Sequence, residues 1–158
     1  MRAAMAAAID VLRTLQIFSG LSNDELERVA ELCEEKTYVS SEQIFREGEP
    51  GNRLFIVVEG EVRISRQIPG AGEEALAVLK AGSMFGEMAV FDRSERSTDA
   101  ISHGGTRVIT ISRAEFEMLL DFHRDIAYKV LWSVVRVLSG RLRATNDSLR
   151  SVLAMSMF

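Results

Sequence analysis

Nine of the eleven glycines and both prolines of this 158-residue chain fall between Gly48 and Gly105. Residues that break helices or permit left-handed backbone are therefore confined to one central block. Turns concentrate there, and long helices can form only on either side.

The central block reads as short strands. Runs at 37–39, 43–46, 54–58, 61–68, 75–79, 100–102 and 107–111 are rich in β-branched and aromatic residues. Turn signals separate them at 47–52, 59–60, 69–72, 81–83 and 103–105, a spacing that predicts a sandwich or small barrel. Upstream, residues 1–35 are helical in pattern with a break at Ser19 and Gly20. Ser22 and Glu25 form a capping box, and Leu26, Val29, Ala30 and Cys33 follow at core spacing. Downstream, Ser112 is an N-cap with Glu115 at the capping-box position, and 124–153 is one long proline-free helix. The expected architecture is α+β: helical 1–35, a β unit over 36–111, and helical 112–158.

The last helix carries an extra pattern. Leu131, Val135, Leu138, Leu142, Thr145, Leu149 and Val152 alternate spacings of four and three, the heptad seam of a two-stranded coiled coil. Val130, Val134 and Val137 form a neighbouring stripe suited to packing on the same subunit. The seam predicts a homodimer through Leu131, Val135, Leu138, Leu142 and Leu149; the alternative is one amphipathic helix covering its own core.

Composition excludes several classes. No apolar run approaches the roughly 18 residues of a membrane span, so a soluble, cytoplasmic protein is expected. Cys33 is the single cysteine, and with only His103 and His123 beside it no metal or iron–sulfur site is expected. The formal charge of -4 is unevenly placed: residues 1–123 hold 13 basic and 21 acidic side chains, and 124–158 hold six and two. The acidic pI near 5.3 disfavours direct DNA binding.

Chemistry concentrates in residues 85–98, Phe-Gly-Glu-Met-Ala-Val-Phe-Asp-Arg-Ser-Glu-Arg-Ser-Thr. A helix starting after Gly86 presents free N–H groups to an anion. Arg96, nine residues beyond Glu87, can return to pair with that anion in a planar fork. A carboxylate beside an anion site makes sense if Glu87 accepts from sugar hydroxyls of the same ligand. Anion, sugar and an apolar wall together describe a nucleotide. No nucleophile–base pair or Walker-type loop accompanies them, so a binding module is expected, not an enzyme.

This segment resembles the phosphate-binding cassette of the cyclic-nucleotide-binding domain shared by bacterial catabolite activators, kinase regulatory subunits and gated channels. Residues 44–52 and 54–62 are similar to that family's first strands and turns, 17–21 to its opening segment, and 141–146 to the long helix of the activators. The resemblance implies a jelly-roll-like β-roll, or double-stranded β-helix, flanked by N-terminal helices and a long C-terminal helix. It also implies roles: Glu87 for the ribose 2′-hydroxyl, Arg96 for the cyclic phosphate, Gly86, Met88 and Ala89 for backbone contacts, and Ser97 as a further phosphate donor. Thr145 and Asn146 are candidates for base recognition, with register specification the alternative for Thr145. The choice between cAMP and cGMP stays open. Non-nucleotide docking and cyclic di-GMP sensing are the other readings. The activators follow this helix with a DNA-binding domain, for which 158 residues leave no room, so output is expected through an effector protein or a larger chain. Arg96→Ala is expected to abolish binding and leave the fold intact.

Overall fold

The computed structural model describes residues 2–156, so Met1 and the last two positions of the expected 112–158 unit lie outside it. Helix α1 (Arg2–Thr14) leads through a 3-10 turn (Gln16–Phe18) to α2 (Asn23–Ala30). The strands are β1 (Glu34–Tyr38), β2 (Gln43–Phe45), β3 (Arg53–Ile68), β4 (Gly72–Lys80), β5 (Met84–Phe85) and β6 (Asp99–Ser112). Helix α3 (Glu87–Asp92) interrupts them, and α4 (Arg113–Phe122) and α5 (Arg124–Met155) close the chain. All strand pairs are antiparallel, in the order β1-β6-β3-β4, with β2 on β6 and β5 on β3. This is the expected roll between helices.

Both capping predictions hold locally. The Ser22 hydroxyl accepts from the Glu25 amide at 3.3 Å and the Glu25 carboxylate from the Ser22 amide at 2.7 Å. Ser112 accepts from the Glu115 amide at 3.3 Å. The Glu25 carboxylate also receives Lys129 Nζ of α5 at 2.7 Å, and this bond, ahead of the Ser22 amide, draws its pKa below the ordinary value. Cys33 is partly buried against the helical core, its thiol pushed up to about 12 by burial.

Alternation along β3 divides the interior in two. Leu54 and Ile56 face a helical core with Leu12, Phe18, Val29, Phe116, Ile126 and Val130. Phe55, Val57 and Val62 face the inside of the roll with Phe45, Phe85, Ala100 and Val108. The continuous apolar run of β3 is thus a strand buried on both faces.

Three expectations are corrected. Glu34 and Glu35 begin β1 and do not end a helix: they pair with Thr110 and Ile109 of β6, and ion pairs Glu34–Arg53 (2.7 Å) and Glu35–Arg107 (3.3 Å) hold an acidic strand in place. The expected strands 54–58 and 61–68 are one strand, and so are 100–102 and 107–111. What reads as turns at 59–60 and 103–105 are facing bulges, where the β3–β6 register slips between Val57 and Glu59 and again between Gly60 and Glu61. Gly60, Gly104 and Gly105 have φ of 81°, 78° and 95°, so the strands bend without leaving the ladder. Thr106 Oγ1 donates to the Glu61 carbonyl at 2.6 Å and meets the Ser102 hydroxyl at 2.9 Å, satisfying polar groups that the bulge frees.

Candidate functional site

The loop from Gly48 to Pro50 anchors the cassette. The Arg96 amide donates to the Glu49 carbonyl at 2.8 Å, and the Gly48 amide to the Arg96 carbonyl at 2.9 Å. This pairing directs the Arg96 side chain inward, where it is only 5% exposed. Its Nη1 donates to the Gly86 carbonyl and its Nη2 to the Arg53 carbonyl, each at 2.8 Å. The guanidinium carbon lies 4.2 Å from the Phe45 ring centroid and 5.6 Å from that of Phe55, a cation–π arrangement. Nε is buried with no partner.

Among the described residues no carboxylate pairs with Arg96. Burial draws its pKa below the ordinary arginine value, against the fields of Glu49 and Glu87. An arginine remains a cation at neutral pH regardless. A buried cation without a counter-ion is costly, and here two carbonyls and an aromatic face offset part of that cost.

Two glycines make room for it. Gly86 caps α3 at φ 71°, and a Cβ there would stand 2.6 Å from Arg96 Nη1. A Cβ on Gly51 would stand 2.2 Å from the Ala89 Cβ and 3.2 Å from the guanidinium carbon. The close approach of loop, α3 and guanidinium therefore depends on both.

Glu87, the first residue of α3, is 8% exposed, and its Oε1 accepts from Arg141 Nη1 of α5 at 2.6 Å. Glu87, Arg96, Ser97 and Thr98 line one side of a cleft of about 250 Å³, with Gly86, Met88 and Ala89. Ile64, Ala77 and Leu79 form its apolar wall and Arg141 reaches in from α5. Six of the eight expected site residues thus share one cleft.

Thr145 and Asn146 do not line it. Both are exposed, and the Thr145 hydroxyl donates to the Arg141 carbonyl one turn back at 3.0 Å. At 1.5 Å per residue they sit about 6 Å beyond Arg141 along the helix. Arg141 is the residue that sequence reasoning missed. The signal was present, because the stripe Val130, Val134, Val137 continues at its own spacing to position 141, on the face toward the body.

A family model described as the cyclic nucleotide-binding domain matches residues 35–123. The CRP-like cAMP-activated global transcriptional regulator of Mycobacterium tuberculosis is 28% identical over 144 residues, covering 91% of this chain and 62% of that one. The cyclic AMP receptor protein of Thermus thermophilus is 32% identical over 130 residues, covering 82% and 58%. The chain therefore spans about three fifths of the length of these curated relatives. The crystal structure of the N-terminal domain of a transcriptional regulator from Streptomyces coelicolor A3(2) is similar with a TM-score of 0.78 and 29% identity, over 89% of this chain and 95% of that one. The matched span contains the roll from Glu35 onward and the cassette with Glu87 and Arg96, and this chain belongs to the cyclic nucleotide-binding domain family.

Proposed function

We propose that this chain is a cytoplasmic sensor of a cyclic purine mononucleotide, cAMP foremost, that acts through a partner protein or a further domain and catalyses nothing. The observation that carries this reading is Arg96, a buried guanidinium that has no counter-ion among the described residues and keeps three of its five N–H donors free of the two carbonyls. A cyclic phosphate supplies the missing charge, with Ser97 and the backbone at Gly86, Met88 and Ala89 as further contacts. The ribose 2′-hydroxyl donates to Glu87. Arg141, already on Glu87, carries the ligand's presence to α5, and Thr145 and Asn146 meet the base when α5 repacks.

Calorimetric titration with cAMP, cGMP and cyclic di-GMP tests the reading, with hydrogen exchange along α5 followed in the same samples. One-to-one binding of a mononucleotide with altered protection from Arg141 to Asn146 is expected. Absence of heat with all three ligands makes the chain a docking module. Binding with unchanged α5 exchange removes the coupling.

Homodimerisation through α5 is the second part of the proposal. Ile126, Val130 and Ser133 are its buried residues, whereas Leu131, Val135, Leu138, Leu142, Leu149 and Val152 are all about half exposed or more. The stripe that covers the chain's own body is thus distinct from the heptad seam, which favours the seam as a contact between copies. Leu138→Glu introduces a charge facing its equivalent across the seam. Sedimentation is expected to turn a dimer into a monomer; a dimer that survives this change does not use the seam.

A further inference from the structure

A second cavity lies beside the nucleotide cleft. It occupies about 190 Å³ between α3 and α5, lined by Ile17, Met88, Phe91, Val134, Val137 and Leu138. It exists because α5 parts from the body: no residue of α5 after Ser133 is fully buried. The side chains that would close it, Met88, Phe91 and Leu138, are 50%, 37% and 48% exposed.

We propose that this recess is a separate ligand site for a small uncharged aromatic molecule, of benzene to indole size. The volume sets the size, since a cavity of roughly 150 Å³ lined by Leu, Ile and Phe stays dry and takes benzene. The lining sets the chemistry: besides aliphatic groups it offers the Phe91 ring and the thioethers of Met84 and Met88, which favour contact with aromatic faces. The apolar lining disfavours a charge on the ligand. Glu87 and Arg141 neutralise each other at 2.6 Å, and the Asp92 carboxylate, whose Oδ1 accepts from the Ser94 amide at 2.9 Å, keeps its charge on an exposed residue of the rim, in contact with water. Met84, Glu87, Met88 and Arg141 line both this recess and the nucleotide cleft, and the Glu87–Arg141 pair is their common partition.

Indole titrated into protein labelled at the methionine methyls tests the site by NMR. Saturable shifts of the Met84 and Met88 signals are expected, with a midpoint on the order of 1 mM or tighter for a ligand of this size. The Met118 signal is the control, since Met118 is 54% exposed on α4 and lines no part of the recess. Val134→Phe and Val137→Phe, each checked for an unchanged cooperative melt, fill the recess and are expected to weaken indole about tenfold or more. Indole is also expected to titrate in the presence of saturating cAMP. Absence of shifts, equal shifts at Met118, or unchanged binding in both folded variants overturns the proposal. Strict competition with cAMP overturns it too, by making the recess the seat of the base. The titration without nucleotide stands whether or not cAMP binds.

Discussion

Arg96→Lys lowers the affinity for cAMP by about a hundredfold or more, measured by calorimetry. Lysine keeps the charge and removes the fork. In the native chain two η nitrogens spend one N–H each on the carbonyls of Gly86 and Arg53, leaving a second N–H on each and the unpartnered Nε. A single ammonium has three donors and no planar pair, so it cannot serve both carbonyls and two phosphate oxygens. A hydrogen bond to a charged group contributes about 1.5–3 kcal/mol, and the loss of two accounts for the hundredfold. Arg93→Lys is the matched control. Arg93 is in the same segment but exposed, bonded to Glu117 at 3.0 Å, and its variant retains native affinity. An Arg96→Lys protein within threefold of native affinity puts the phosphate elsewhere.

The same geometry revises what truncation does. An exposed arginine can be cut to alanine without harm to the fold, which is what the cassette predicts when read as a sequence. Arg96 is instead buried, and two backbone carbonyls and the Phe45 ring depend on it. Arg96→Ala leaves those carbonyls unpartnered and opens a cavity, so it destabilises as well as abolishing binding. Lysine is for that reason the sharper test.

What was legible in the sequence was what neighbouring residues decide together. The caps at Ser22 and Ser112 and the cassette from Gly86 to Ser97 each need only a dozen residues or fewer to be seen, and the extent of α5 needs only an unbroken run free of proline. Partners far along the chain were not legible. Arg141 meets Glu87 across 54 positions, and only the phase of α5 against the body brings them together. Glu34 and Glu35 carry a helical composition yet form a strand, because Arg53 and Arg107 from other strands sit beside them. Gly60 and Gly105 belong to the same class. A glycine at positive φ ends a strand in a turn and bends it in a bulge, and the local sequence is alike in both cases. The ladder across from it decides.

Gly60→Ala measures how much the roll depends on that bend. At φ 81° an alanine is strained by about 1–2 kcal/mol, and its Cβ would lie 2.2 Å from the Gly105 carbonyl oxygen. That neighbour is backbone, held in β6, and no rotamer change relieves the contact. Overpacking of this kind costs about 1–3 kcal/mol more. For a chain of this size each kcal/mol lowers Tm by roughly 2–4 °C, so a fall on the order of 10 °C is expected by calorimetry. Gly70→Ala separates the two causes. Gly70 has the same φ of 81°, but nothing lies within 4 Å of its Cβ position, so that variant carries the strain alone and loses roughly 2–8 °C. Equal melting temperatures for the two variants would mean that β3 and β6 yield at the bulge. The bend would then be a soft joint, and the apolar wall beyond it, with Ile64 facing the cleft, would not be held fixed against the cassette.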